Sequence, residues 1–170
     1  QEKLTGTEGR QIGLSYFRNR GIRDDTLKKF HLGYSPENRT ALTDEARRNG
    51  YKKEYLVKTG LSIERDSRLF DRFSGRVIFP IHSISGNVIG FGGRTLRSDK
   101  NLAKYLNSPE SDIYHKSRVL YGLFHAKRAI VSSGLCYLVE GYTDVIAMHQ
   151  AGIENVVASS GTSLTAEQIR

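Results

Sequence analysis

The sequence contains a single cysteine, Cys136, and no long run of apolar residues. One cysteine cannot form an internal disulfide or a cysteine-based zinc site, which excludes a secreted disulfide scaffold and predicts that this chain binds no zinc. The longest apolar stretches, such as residues 135–139, fall far short of the about 20 residues that a membrane-spanning helix needs. No charged and then apolar leader is recognisable at the start. These absences predict a protein of the reducing cytoplasm with no membrane partner.

The charge of the chain is unevenly distributed. Its 170 residues, 38% of them hydrophobic, can form one ordinary domain or two small ones, which excludes a disordered or collagen-like chain. Residues 1–130 hold 25 basic and 14 acidic residues, whereas residues 131–170 hold one basic and four acidic residues. A basic body with an acidic tip is expected of a protein that holds phosphates in one part and metal ions in the other.

The N-terminal part combines short helices with a β-hairpin. Two β-rich runs, residues 76–81 and 88–91, flank a Ser-Gly-Asn turn, which predicts antiparallel strands. Pro80 places the first of these strands at a sheet edge or a bulge. Helical spacing of apolar residues and glycine or polar end signals predict the other elements. These are helices over residues 8–19, 24–30, 40–49, 53–59 and 123–132, and a short strand at 31–35.

The second strand of this hairpin is rich in glycine. Gly90, Gly92 and Gly93 leave three positions without side chains, which indicates either close approach by a ligand or a neighbouring segment, or a bulge. The polar residues 95–118 follow without a regular pattern. Because long irregular loops in compact domains commonly carry function, this segment is a candidate binding region.

The C-terminal part predicts a βαβ unit. Residues 135–139 form an apolar strand, residues 143–150 a helix and residues 153–158 a second apolar strand. Such a unit requires parallel strands joined by a right-handed crossover. A loop at 159–163 and the start of another helix follow. The fold class is therefore α/β.

Two carboxylates follow the first of these strands. Glu140 comes directly after it and Asp144 lies in the first turn of the next helix, with Gly141 permitting the bend. Ligands of open α/β sheets bind outside the carboxyl ends of the strands, and paired hard oxygen ligands suit Mg²⁺. Alternatively, Glu140 merely ends the strand and Asp144 stabilises the helix N-terminus. Spacing alone leaves both interpretations open.

Several ordered motifs resemble a known family. Residues 139–145, VEGYTDV, look like the first motif of Toprim domains, which primases, topoisomerases and some nucleases share. The upstream segments closely resemble bacterial replicative primases of the DnaG type. These segments are GRVIFPI at 75–81, VIGFGGR at 88–94, KYLNSPE at 104–110, YHK at 114–116 and LYGL at 120–123.

The resemblance implies a DNA-dependent RNA polymerase that makes short RNA primers on single-stranded DNA. It implies a basic N-terminal subdomain of the catalytic core over residues 1–130 and the first part of a Toprim domain over 131–170. Glu140 and Asp144 would be acids of a Mg²⁺ or Mn²⁺ site. A basic groove would grip template, primer or ribonucleoside triphosphate. Its residues would be Arg20, Arg94, Lys104, Tyr105, Asn107 and Lys116.

The family pattern is incomplete in this chain. The Asp-Gly-Asp motif that supplies further metal ligands is not found up to Arg170, and neither are the zinc-binding and helicase-contacting regions of the family. We therefore expect a fragment that is catalytically weak or inactive alone, in a protein whose replicative helicase partner docks elsewhere. A Toprim nuclease or topoisomerase, and a non-catalytic module that binds single-stranded nucleic acid, are the alternatives.

Overall fold

The computed structural model of the protein describes residues 1–99, 102–159 and 164–169. Of the loop predicted at 159–163, only Ser159 belongs to these residues, and Arg170 also lies outside them. Among the described helices, none combines the length and the apolar character needed to cross a bilayer.

The first predicted helix contains an irregular turn. A π-helical segment, Gly9–Leu14, continues into helix α2 (Ser15–Asn19) where one regular helix was predicted. Gly13 is buried there, and a Cβ atom on it would lie 2.8 Å from the Cβ of Tyr34, so this helical segment packs closely against residue 34. The other elements follow the predicted ones to within a few residues. They are α3 (Asp24–Lys29), β1 (Gly33–Ser35), α4 (Ala41–Arg48) and α5 (Lys53–Lys58), whereas the short helix α1 (Glu2–Thr5) was not predicted.

The predicted hairpin is confirmed and forms the centre of an antiparallel sheet. Strands β4 (Arg76–His82) and β5 (Val88–Thr95) pair along most of their length, in a sheet of order β1-β4-β5-β6, in which β6 is Tyr105–Asn107. Strand β1 pairs with residues 76–78, so Pro80 lies beyond it, where its missing N–H removes no bond to β1. The bulge lies between Ile81 and His82 of β4.

The glycines of β5 make room for aromatic side chains. The predicted close approach by a neighbouring segment is confirmed, because a Cβ atom at each position would come within 3.2 Å of a ring carbon. The facing pairs are Gly90 with Tyr114, Gly92 with Tyr142 and Gly93 with Phe73.

Several short elements were missed by the sequence reasoning. Strands β2 (Ser62–Arg65) and β3 (Arg68–Asp71) form a polar hairpin, and β6 (Tyr105–Asn107) pairs with β5 inside the segment predicted to be irregular. A 3-10 helix, Lys116–Arg118, follows. The three strands are recognisable by their backbone pairing, and they and the 3-10 helix are too short for a periodic signal.

The predicted βαβ unit is confirmed, with shorter strands. Strands β7 (Tyr137–Val139) and β8 (Val156–Ala158) are parallel and flank helix α7 (Tyr142–Gln150), while α6 (Leu123–Ser133) precedes them and α8 (Ala166–Ile169) follows. The strand predicted over residues 135–139 begins only at Tyr137, so the prediction is wrong for residues 135 and 136. Leu135 precedes β7 and is about half exposed. Leu138 lies within β7 and is also half exposed, because β7 has only β8 as a neighbour among the described strands.

One hydrophobic core joins the two parts of the chain. Strand β4 and helix α7 both contribute to it, and Tyr121 pairs with Ala158 of β8 through backbone hydrogen bonds. The boundary predicted between residues 130 and 131 lies within the range of α6. Fully buried members from both sides include Phe17, Phe30, Val77, Phe79, Tyr121, Val145, Ile146 and Val156.

Candidate nucleic-acid interface

An open cleft of about 800 Å³ lies between the helical residues 9–19 and strand β5 of the four-stranded sheet. Tyr16 lines it from α2, and Arg94 lines it from β5 on the opposite side. Arg97 and Lys104 border it in the segment after β5. A concave surface with several cations and an aromatic ring is suited to a phosphate backbone.

Aromatic rings contact Arg94 in this cleft and Arg20 beside it. The Cζ atom of Arg94 lies 4.7 Å from the ring centre of Tyr16 and 5.9 Å from that of Tyr105, so its guanidinium contacts both rings. Arg20 contacts Tyr16 as well, at 5.2 Å. Burial raises the pKa of the Tyr16 hydroxyl, although the two arginines act in the opposite direction. The structure thus brings three of the six predicted groove residues together in this aromatic cluster, and a fourth, Lys104, borders the same cleft.

The Arg94 guanidinium has an unused donor. Its Nε atom is buried and has no hydrogen-bond partner among the described residues. A buried donor without an acceptor is costly, and a ligand oxygen would remove that cost. In contrast, the Tyr105 side chain is 41% exposed, which leaves ring surface accessible for stacking.

A buried arginine fixes the backbone next to Lys104. The Nη1 atom of Arg76 donates to the carbonyl oxygens of Gly93, Ala103 and Lys104 at 3.2, 3.0 and 3.4 Å. Burial lowers the pKa of Arg76. The Lys104 side chain remains exposed beside the cleft, so Arg76 fixes its backbone while its charge faces water.

The predicted acid pair lies at the turn between β7 and α7. Both Glu140 and Asp144 are exposed, and the Asp144 Oδ2 atom accepts a hydrogen bond from the Gly141 N–H at 3.1 Å. Carboxylates at such a turn have the donor chemistry that Mg²⁺ or Mn²⁺ requires. No group of three or more acidic, histidine or cysteine side chains suited to a metal ion occurs within the described part of the chain. The pair would therefore supply only part of a coordination sphere.

Asn107 joins this acidic turn to the sheet. The Tyr142 hydroxyl donates to its Oδ1 atom at 2.7 Å, and Tyr142 is the first residue of α7. The ring centres of Tyr142 and Tyr105 are 6.3 Å apart. The cationic cleft and the acid pair are thus connected through one tyrosine.

Lys116 is held by a different set of contacts. Its backbone N–H donates to Glu110 at 2.9 Å, and its carbonyl oxygen accepts from Gln168 of α8 at 3.1 Å. No described contact places its side chain in the Arg94 cluster.

The sequence reasoning missed Tyr16, Arg76 and Tyr142 as site residues. Tyr16 precedes Arg20 by four positions, a helical spacing that could have indicated their contact. The other two lie inside motifs already noted, but their contacts with β5 and β6 depend on tertiary structure.

Two family models match consecutive parts of the chain. Residues 1–127 match the N-terminal domain of the DNA primase catalytic core, and residues 134–170 match the Toprim domain. Among curated proteins, the DNA primase of Halalkalibacterium halodurans is 43% identical over 166 residues, which cover 96% of this chain and 27% of that protein. The DNA primase of Escherichia coli K12 is 42% identical, over 91% of this chain and 26% of its own length.

Solved primase structures share the fold. The RNA polymerase domain of Mycobacterium tuberculosis primase DnaG superimposes with a TM-score of 0.93 at 38% identity, covering 99% of this chain and 54% of that one. A DnaG primase catalytic domain bound to ssDNA gives 0.87 at 40% identity, with 99% and 52% coverage.

The chain spans about a quarter of the length of the curated relatives it matches and about half of these solved structures. Its ordered motifs, its fold and its match over residues 1–127 all agree. The chain belongs to the bacterial DnaG primase family, with residues 1–127 matching the N-terminal domain of the catalytic core and residues 134–170 matching the Toprim domain.

Proposed function

We propose that this chain is part of a catalytic core that synthesises short RNA primers on single-stranded DNA. The observation that carries the proposal is the connection, through the Tyr142 to Asn107 hydrogen bond, between a cationic aromatic cleft and an exposed acid pair. Nucleotidyl transfer needs both, because phosphates must be held while charge develops on the attacking and leaving oxygens. The relatives described above support this function.

The cations of the cleft would hold the nucleic acid. Arginine can clamp phosphate with two parallel hydrogen bonds, which suits Arg20 and Arg94, while lysine supplies a point charge, as at Lys104 in the cleft and at Lys116, which does not line it. Tyr105 offers an exposed ring on which a base can stack. Asn107 borders this surface, with its side-chain oxygen already bonded to Tyr142.

Glu140 and Asp144 would hold Mg²⁺ or Mn²⁺. When bound, such an ion stabilises the negative charge that develops as a primer 3′-hydroxyl attacks the α-phosphate of the next ribonucleoside triphosphate. The protein keeps the two carboxylates exposed at the turn and orients Asp144 through the Gly141 N–H. Since the described residues offer only this pair, we expect the 170-residue chain alone to synthesise little or no primer.

The wider setting of the protein is part of the same proposal. Residues 1–130 would act as the basic subdomain, and residues 131–170 as the start of the Toprim domain. Template, RNA primer and ribonucleoside triphosphates would bind in and beside the cleft, and a replicative helicase would dock through a region outside this chain. A replication role and a single cysteine favour the cytoplasm.

Substitution of Glu140 in the complete primase tests the catalytic role. Glu140→Gln removes one negative charge with little change of shape, so we expect primer synthesis to fall by more than about 100-fold while affinity for single-stranded DNA stays nearly unchanged. Synthesis with Mg²⁺ or Mn²⁺ and binding to a labelled oligonucleotide are the two measurements. Unchanged synthesis would show that this part is a binding module only. Robust synthesis by the 170-residue chain would contradict its expected inactivity.

A further inference from the structure

Three residues form one row across the central sheet. In the strand register, Phe79 of β4 pairs with Gly92 of β5, and Gly92 pairs with Asn107 of β6. Cross-strand partners of this kind lie side by side on the same face of a sheet. The row therefore presents a ring, a gap and an amide next to one another.

Tyr142 lies across this row and contacts all three residues. Its ring stacks on Phe79, with centres 5.2 Å apart and an angle of 17° between the planes, and its hydroxyl donates to Asn107 at 2.7 Å. Gly92 supplies the space between them, because a Cβ atom there would lie 2.6 Å from the Tyr142 Cζ atom. Each strand thus contributes one distinct contact to the same side chain.

The cationic cluster occupies the neighbouring row. Arg94 pairs with Tyr105, and both lie two residues from the row of Gly92 and Asn107 along their strands. Side chains two residues apart share a face and are separated by about 6.6 Å along the strand. The distance of 6.3 Å between the rings of Tyr105 and Tyr142 agrees with this spacing. The sheet therefore sets how far the tyrosine lies from the arginine.

Tyr142 is also tied directly to the acid pair. Glu140 precedes it by two residues, and Asp144 follows it by two and bonds back to the Gly141 N–H. We infer that Tyr142 is a positioning residue, whose hydrogen bond to Asn107 fixes Glu140 and Asp144 at a set distance from Arg94 and Tyr105. This inference rests on the proposed function, since it assigns the acid pair and the cationic cluster to one reaction.

Removal of one hydroxyl tests the inference in the complete primase. Tyr142→Phe keeps the ring on Phe79 and removes the hydroxyl that donates to Asn107. Small displacements of reacting groups lower rates steeply, so we expect the rate of primer synthesis at saturating template and nucleotide to fall about 10- to 100-fold. The Kd for single-stranded DNA should stay within about twofold, because Arg94 keeps its contacts with Tyr16 and Tyr105.

Tyr121→Phe is the matched control. Tyr121 belongs to the same aromatic cluster, with its ring centre 4.6 Å from that of Tyr142, and its buried hydroxyl has no hydrogen-bond partner among the described residues. Losing that hydroxyl should leave the rate within about twofold of the unchanged protein. Both variants should melt within a few degrees of each other, which separates positioning from a loss of stability.

Asn107 variants show whether the two residues act as a pair. Asn107→Leu removes the acceptor and should lower the maximal rate as much as Tyr142→Phe does. The double variant should be no slower than either single one, because all three variants lack the same hydrogen bond. Asn107→Asp keeps an acceptor oxygen, so it should be faster than Asn107→Leu only where the Tyr142 hydroxyl is present.

The outcomes separate this inference from the proposed function. Full activity of Tyr142→Phe in an enzyme that Glu140→Gln inactivates overturns the positioning role and leaves the function standing. The positioning role is also overturned if the rate losses of the two single variants multiply in the double variant. A loss of rate that accompanies a lower Tm overturns it as well. If Glu140→Gln is fully active, the proposed function itself fails.

Discussion

The four-stranded sheet and the parallel β7-β8 sheet differ in how completely they are covered. Strand β4 is buried along nearly its whole length, between β1 and β5 and under the aromatic core, whereas β7 has only β8 as a described neighbour and leaves Leu138 half exposed. Both strands are strongly apolar in sequence. Apolar composition thus identifies a strand, but its burial depends on which neighbours are present.

This difference matters for the site because the acid pair follows the less covered strand. Glu140 comes directly after β7. Tyr142 follows Glu140 by two residues, and it is only 4% exposed because it packs on β4, β5 and β6. The well-packed sheet therefore supports the turn that the poorly covered sheet begins.

The largest expected effect contrasts one side chain from each sheet. Phe79→Ala removes a fully buried ring that packs on Phe17 and Tyr142, so we expect it to lower the free energy of unfolding by about 3–5 kcal/mol. Leu138→Ala removes a half-exposed side chain and should cost less than about 1 kcal/mol. Urea unfolding of the 170-residue chain, followed by circular dichroism, measures both. Equal destabilisation by the two variants would contradict the contrast.

An intermediate effect concerns pH, through histidines that join the two parts. His125 of α6 packs on Phe30 and lies near His82 of β4 and His149 of α7. Burial lowers the pKa of His82 and His149, and it lowers the pKa of His125 to about 3. Around them, His31 contacts His82, while Lys29 pairs with Glu154 beside His149.

Acid should therefore destabilise the fold at this junction. In the unfolded chain these histidines take up protons near pH 6.5, whereas in the folded protein they resist protonation, so stability is complete above that pH and falls below it. Urea midpoints measured from pH 7.5 to 4.5 should decline, and His125→Phe should flatten the decline. His115, which is exposed, provides the matched control as His115→Phe. A pH dependence that His125→Phe leaves unchanged would exclude this cause.

The smallest effect tests the cleft. Arg94→Ala or Lys104→Ala should weaken binding to unrelated single-stranded sequences alike, and should reduce the slope of log K against log salt by about 0.7 for each phosphate that the variant no longer neutralises. Arg128, an exposed cation of α6 that does not line the cleft, is the control as Arg128→Ala. If Arg94→Ala and Lys104→Ala reduce the salt slope no more than the control Arg128→Ala does, neither Arg94 nor Lys104 binds the phosphates.

Sequence patterns predicted the elements whose signals are local. The hairpin of β4 and β5 follows from alternating β-rich residues around a turn, and the βαβ unit follows from apolar runs of strand and helix length. Hairpin β2-β3 escaped because its residues are mostly polar and its turn uses Asp66 and Ser67 with positive φ, which no glycine marked. The exposure of Leu138 could not be read from the strand itself.

The site divides in the same way. Cations, carboxylates and glycines are recognisable by residue type, so the sequence alone indicates Arg94, Glu140 and Gly92. The role of Tyr142 escaped because it arises from register partners on three strands that are distant in sequence. Such lateral neighbours exist only once the strands have paired.

The three-residue strand β6 makes the site sensitive to one kind of insertion and tolerant of another. Extra residues in the connection between β5 and β6 lengthen a loop and leave the pairing of Gly92 with Asn107 intact. One extra residue between Tyr105 and Asn107 would instead turn the amide to the opposite face and deprive Tyr142 of its acceptor. Natural or engineered length changes should therefore accumulate in the connection and stop at the strand.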